Sequence, residues 1–247
     1  MSVLLLLGHG SSKHPDSSRS VRMHADLLQL CGKYDSVRCA FLKEEPFIDD
    51  CLAGLENESV IVVPDFLAEG YFTRQVIPKK LNLALQHDNI RYCPPVGTHP
   101  LMVDLIKDAV NNVMGDWAPA QTSLLVVGHG SGKNPCSKQT LLSHLNVIRQ
   151  TSSFAQVVDL WLEEIPLVRS WSEVATQQNV IILPFLLNDG QHGGWDIPAE
   201  LGVPHDVDVH GPIHQIDGRK VRVSPALGTS PRFIEAIAAL AEVWGQA

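Results

Sequence analysis

Residues 4–11 read LLLLGHGS, and residues 124–131 read LLVVGHGS, so the same glycine–histidine–glycine turn follows two apolar runs. The offset of 120 residues continues downstream. There, VIVVPDFLAEGYFTRQVIP (60–78) aligns with VIILPFLLNDGQHGGWDIP (180–198) and is identical at seven of 19 positions. Similarity at a constant offset indicates that the chain contains two copies of one structural unit.

The second copy is longer than the first near its end. GTHP (97–100) matches GTSP (228–231) at an offset of 131 residues, and the additional residues fall within 205–219. This segment contains the pairs Gly211-Pro212 and Asp217-Gly218. Such pairs are typical of turns, so the insertion is predicted to be a polar loop or a hairpin.

Each copy alternates apolar runs with amphipathic segments. In the first copy, this pattern predicts strands over 3–7, 37–42, 60–63 and 90–94, and helices over 17–31, 47–55, 74–85 and 100–113. Alternation of this kind predicts an α/β fold, with parallel sheets covered by helices on both faces. We divide the chain into halves 1–118 and 119–247, joined by a linker over 115–121, and expect an active cleft between them.

The composition excludes several classes of protein. With 45% hydrophobic and 19% charged residues over 247 positions, the chain is typical of a globular protein with one or two domains. A net charge of −8 without a basic patch argues against a nucleic-acid partner. The chain has no apolar run of the about 20 residues that a membrane span needs, and no signal peptide. We therefore expect a cytoplasmic protein without a membrane partner.

Histidines at the predicted sheet edge are the main candidates for chemistry. His9 and His129 follow the first strand of each half, and His192 follows the third strand of the second half. In parallel α/β sheets, ligands bind beyond the carboxyl ends of the strands. His129 and His192 are therefore a plausible pair for metal binding or proton transfer. The repeat partner of His192 is Phe72, so the first half has only one member of the pair.

Carboxylates at the same edge are weaker candidates. Glu164 follows the second strand of its half and could complete a metal site or transfer a proton, or be a solvated loop residue. Asp189 and Glu69 occupy matched positions one strand further along. Other chemistry has no support, because the chain lacks G-x-S-x-G, G-x-G-x-x-G and a phosphate loop. The five cysteines contain no CxxC pair, which favours free thiols.

The strand–GHGS opening, the G-x-H-x-x-x-D-I-P segment and the late G-T-x-P turn resemble the CbiX/SirB class II chelatases. The resemblance covers essentially the whole chain twice, as in the long, fused form of that family. It implies the chelatase fold with four parallel strands in each half. It also implies a lyase-type enzyme that inserts a divalent metal into sirohydrochlorin, in cobalamin or sirohaem biosynthesis.

The resemblance implies a role for particular residues. His129 and His192 would bind the metal and accept pyrrole protons, with Glu164 assisting, while the first half would be a degenerate site. The residues expected to contact substrate are Leu187, Asn188, Asp189, Gly190, Gln191, His9 and Ser131. The carboxylate-rich macrocycle would need local cations, for which the candidates are Lys13, Arg19, Arg74, Lys133 and Lys138.

Several alternatives stay open at this stage. Co²⁺ and Fe²⁺ are the favoured substrate metals, with Ni²⁺ as a weaker candidate, and no permanent cofactor is expected. The competing function is a carrier that binds a tetrapyrrole or a metal without catalysis, and a different macrocycle is a third possibility. Both a monomer and a homodimer are compatible with the fused chain.

Overall fold

The computed structural model describes residues 2–84, 88–130, 135–204 and 207–245. Its strands, in chain order, are β1 (Ser2–Gly8), β2 (Ser36–Phe41), β3 (Ser59–Pro64), β4 (Ile90–Tyr92), β5 (Thr122–Gly128), β6 (Gln156–Trp161), β7 (Asn179–Pro184), β8 (His214–Ile216) and β9 (Arg219–Val223). Its α-helices are α1 (Arg19–Leu30), α2 (Ile77–Lys80), α3 (Met102–Met114), α4 (Pro135–Thr151), α5 (Trp171–Val174), α6 (Ile197–Leu201) and α7 (Phe233–Gly245).

The chain forms two compact units, each with its own sheet. Unit 1 comprises Met1–His99 with Pro231–Ala247, and unit 2 comprises Pro100–Ser230. The sheet of unit 1 has the order β2-β1-β3-β4, and all its pairings are parallel. This arrangement confirms the four parallel strands expected for the first half.

Helices cover both faces of the unit 1 sheet, which explains why its central strand is apolar throughout. Val3, Leu5 and Leu7 of β1 pack with Ile48 and Ile77 on one face. Helices α1 and α7 contact the strands and each other. Successive side chains of a strand point to opposite faces of the sheet. Since helices cover both faces, both sets of β1 side chains are buried.

The sheet of unit 2 differs from the expectation of four parallel strands. Its order is β6-β5-β7-β9-β8, and β8 is an additional edge strand antiparallel to β9. The insertion produces this strand, because Asp217 and Gly218 both adopt positive φ and close a two-residue hairpin turn. The structure thus confirms a hairpin in the insertion and corrects the strand count of the second half.

The compact units also differ from the sequence division at 118/119. The last helix of the first half, α3, contacts β7, β9 and α4 of unit 2, whereas α7 contacts β3 and β4 of unit 1. In unit 1, Phe233 of α7 stacks on the buried His24 ring at 4.8 Å. In unit 2, Arg222 donates a hydrogen bond to the Val113 carbonyl at 2.7 Å. Each half therefore completes its sheet with the terminal helix of the other half.

Glycines shape the turns that follow β1 and β5. A Cβ on Gly128 would lie 2.4 Å from Cζ3 of Trp161, and a Cβ on Gly8 would lie 2.9 Å from the Phe41 ring. Gly10 and Gly130 have φ of +65° and +79°, a conformation that L-residues rarely adopt. The GHG sequence therefore lets the strand end against an aromatic ring and turn sharply, with its histidine exposed.

Two further sequence expectations concern the chain as a whole. In the part of the chain that the structure describes, none of the helices has the length and apolar character to cross a membrane. Cys31, Cys39, Cys51 and Cys93 are free thiols, as expected.

Candidate metal centre

The two histidines singled out in the second half lie side by side. His129 follows β5, and His192 lies in the π-helical turn Asp189–Asp196, which follows β7. Because β5 and β7 are neighbours in the sheet, both side chains reach the same edge. Their ring centroids are 4.9 Å apart and the ring planes are perpendicular. About half of each side chain is exposed, so the pair is open to a ligand.

The partners of the two rings leave the same nitrogen available on each. His129 Nδ1 lies 3.0 Å from the Gly130 carbonyl oxygen, and His192 Nδ1 lies 2.7 Å from Asp196 Oδ2. Each Nδ1–H can donate to its acceptor, which assigns the protonated tautomer from the hydrogen-bond partners. In that tautomer Nε2 carries a lone pair, which can bind a metal or accept a proton.

Asp196 orients His192 and was not recognised as a functional residue from the sequence. Its second oxygen accepts a hydrogen bond from Gln191 Nε2 at 3.0 Å, so its carboxylate is held on both sides. Carboxylates that hold the distal nitrogen of a metal-binding histidine fix its tautomer and direction. The signal was the i, i+4 spacing of His192 and Asp196, which places both on one face of a helical turn.

Glu164 lies against the turn that carries His129. Its Cγ would lie 3.3 Å from a Cβ on Gly130, and its Oε2 lies 3.6 Å from Lys138 Nζ. The matching Glu44 of unit 1 accepts a hydrogen bond from the Ser11 amide at 2.8 Å. Among the residues that the structure describes, no three His, Cys, Asp or Glu side chains are grouped to hold a metal.

In the segment 187–191, which was expected to contact substrate, some residues pack within unit 2 and others are exposed to solvent. Leu187 packs on the GTSP turn, where a Cβ on Gly228 would lie 2.5 Å from the Leu187 carbonyl oxygen. Asp189 is also engaged within unit 2, whereas Gly190 and Gln191 are exposed. Asn188 is partly buried, and Ser131 and Lys133 lie outside the described residues.

Asp189 forms an ion pair that the sequence did not predict. Its Oδ1 accepts a hydrogen bond from the Ala226 amide at 2.8 Å and lies 3.5 Å from His210 Nε2. Burial raises the pKa of Asp189, but the contacts with His210 and Ala226 lower it more, so that it falls below its ordinary value. The same carboxylate raises the pKa of His210 above its ordinary value, against the effect of burial.

The corresponding place in unit 1 retains one histidine of the pair. His9 Nδ1 lies 2.8 Å from the Gly10 carbonyl oxygen, as in the second half. Its neighbour is the Phe72 ring, at 5.0 Å between centroids and 76° between planes. Val76 occupies the position that corresponds to Asp196. Unit 1 has therefore kept the geometry of the pair while losing the second imidazole and its carboxylate.

Of the basic residues predicted to bind the carboxylates of the substrate, some form ion pairs and others are exposed. Lys138 pairs with Glu164, and Arg74 pairs with Glu69. Lys13 and Arg19, near the GHGS turn of unit 1, are exposed. A carboxylate-rich ligand would have to displace Glu164 from Lys138 and Glu69 from Arg74. Lys13 and Arg19 are already accessible from the solvent.

In comparisons with known proteins, one family model and one relative each match both halves of the chain. The CbiX family model matches residues 3–113 and again residues 123–242. The chain is 34% identical over 255 residues to a probable sirohydrochlorin cobaltochelatase of Halobacterium salinarum, covering 94% of this chain and 87% of the relative. Both matches extend across the two halves of the repeat.

Solved structures share the fold. A multi-domain protein of Deinococcus radiodurans with structural similarity to chelatases matches with a TM-score of 0.81 and 25% identity. The match covers all of this chain but 56% of that protein, so the chain spans about half its length. SirB of Bacillus subtilis, solved with cobalt and with Fe³⁺, matches with TM-scores of 0.74 and 0.80, at 18% identity over 99% of this chain and 95% of SirB.

Proposed function

The chain belongs to the CbiX family, and on that premise we propose that it is a sirohydrochlorin chelatase, which inserts Co²⁺ or Fe²⁺ into the macrocycle. The observation that carries this proposal is the His129–His192 pair, whose Nε2 atoms are both left available at an exposed sheet edge. The relative in Halobacterium salinarum is named as a probable enzyme of this kind.

The geometry suits the delivery of a metal better than its storage. Two imidazoles leave most coordination positions of a first-row divalent ion open, and such an ion binds imidazole readily. The open positions can hold water first and macrocycle nitrogens afterwards. A metal bound by three or four protein side chains, as in structural sites, would be harder to release.

The same two histidines can also accept the protons that the pyrrole nitrogens lose when the metal is inserted. Once the metal passes to the macrocycle nitrogens, each Nε2 lone pair is free again and can accept a pyrrole proton, and Asp196 holds the His192 ring in place for this step. We assign Glu164 an assisting role through the turn that carries His129, because its carboxylate lies against Gly130. The second half therefore carries the chemistry in this proposal, while His9 contributes at most a substrate contact. We keep a cytoplasmic enzyme without a permanent cofactor as part of the proposal.

The test is anaerobic insertion of metal into sirohydrochlorin, followed by absorbance, with Co²⁺, Fe²⁺ and Ni²⁺ in parallel. We expect rates well above the uncatalysed background with Co²⁺ or Fe²⁺, since both ions suit an imidazole pair. Tight binding of sirohydrochlorin with background rates for all three metals would contradict the enzyme and favour the carrier. Insertion into a different macrocycle alone would contradict the substrate.

A further inference from the structure

The insertion of the second half lies against the turn that presents His192. Its strand β8 pairs with β9, which in turn pairs with β7, the strand that leads into this turn. His210 forms an isolated parallel bridge with Val223 of β9, and His214 Nε2 lies 3.0 Å from the Val209 carbonyl oxygen. These contacts hold His210 in a defined place beside the end of β9.

Asp189 connects this hairpin to the π-helical turn. It is the first residue of the turn, and its Oδ1 lies 3.5 Å from His210 Nε2. The Ala226 amide donates to the same oxygen at 2.8 Å. The two contacts come from the insertion and from the segment after it, so the start of the turn is tied to both.

Movement of Asp189 would be transmitted to His192. A Cβ on Gly193, the residue after His192, would lie 3.3 Å from Asp189 Oδ1 and 3.2 Å from the Asn188 carbonyl oxygen. Gly190, between Asp189 and His192, has φ of +37° and departs from helical geometry. Asp196 orients the His192 ring from within the turn, whereas the start of the turn, before the break at Gly190, is fixed by the contacts that Asp189 makes outside it.

The first half offers a natural comparison. It lacks the insertion, and Glu69 at the position of Asp189 pairs with Arg74 of its own turn. This half has also lost the second histidine of the pair to Phe72. The insertion and the complete histidine pair thus occur together in one half of the chain and are both missing from the other.

We propose that His210 is a positioning residue for the metal centre, which holds the His192 turn in place through its ion pair with Asp189. His210 does not touch the metal or the macrocycle in this account. The inference rests on the proposed function only in that His192 is taken to bind metal. The contact between the insertion and the turn stands on the structure alone.

The experiment compares three variants of the full chain with the parent protein. His210→Ala removes the ion pair, His210→Gln retains an N–H donor for Asp189, and Gln215→Ala changes an exposed residue of the same hairpin. Two quantities are measured without tetrapyrrole: hydrogen exchange of the amides over 189–194, and the affinity for Co²⁺ alone. Loss of a group that orients a metal-binding histidine weakens metal binding by about 10- to 100-fold, so we expect about 10-fold for His210→Ala.

The expected pattern is faster exchange and weaker Co²⁺ binding in His210→Ala, partial recovery in His210→Gln and parent values in Gln215→Ala. Parent-like exchange and affinity in His210→Ala would overturn the proposal, as would an equal loss in Gln215→Ala. If His210→Ala does not fold, His210→Leu takes its place, because it fills similar space without an N–H donor for Asp189, and parent-like exchange in that variant overturns the proposal. If the parent protein binds no Co²⁺, the proposed function fails, while the exchange data still decide the role of His210.

Discussion

In a His192→Ala variant, we expect cobalt insertion into sirohydrochlorin to fall by at least about 100-fold, since a positioned acid–base group alone contributes about 10²- to 10⁴-fold. His129→Ala should have a loss of the same order. Each substitution removes one of two imidazoles whose rings lie 4.9 Å apart. With it goes an Nε2 atom that binds the metal and, after the metal has passed to the macrocycle, can accept a pyrrole proton. The measurement is the initial insertion rate under anaerobic conditions at saturating metal.

His9→Ala is the matched control for this prediction. His9 occupies the same GHGS turn and makes the same Nδ1 contact with the following carbonyl, but it faces Phe72 and not a second imidazole. We expect a much smaller loss of insertion rate than for His129→Ala. An equal loss would contradict the assignment of the chemistry to the second half.

A Phe72→His, Val76→Asp double variant should raise the number of bound Co²⁺ ions per chain from one to two. The parent geometry is already suited to a second pair, because the His9 and Phe72 rings lie 5.0 Å apart and meet at 76°. The aspartate at 76 supplies the carboxylate that Asp196 gives to His192 in the second half. Equilibrium titration with Co²⁺ measures the stoichiometry.

The single variant Phe72→His separates the two contributions. Without a carboxylate at position 76, the new imidazole has no partner to fix its tautomer, so we expect weaker binding at the second site, by about 10- to 100-fold. A folded double variant that still binds one Co²⁺ would contradict the equivalence of the two sites. It would mean that features beyond these two positions define the metal centre.

The repeat made most of the fold and the pair predictable. The alternation of strands and helices predicted a parallel sheet, and the positions of His129 and His192 directly after strands placed both at the same sheet edge. The structure adds that the two strands are neighbours. The insertion was recognised from its offset, and Asp217-Gly218 marked its hairpin turn. These features depend on local sequence, which is why the sequence was sufficient for them.

The exchange of the terminal helices could not be predicted. α3 and α7 occupy matched positions after GTHP and GTSP, and each buries an apolar stripe. Such a stripe fits either of two similar sheets, so the choice depends on tertiary partners such as His24 under Phe233. His210 was missed for the same reason, because its partner Asp189 is 21 positions away in the sequence.

The most direct test of the central claim is to locate bound cobalt by anomalous scattering from crystals of the protein grown with Co²⁺. The account predicts a strong peak about 2.1 Å from Nε2 of both His129 and His192, the distance usual for imidazole bound to such an ion. A peak beside His9, with none between His129 and His192, would contradict it.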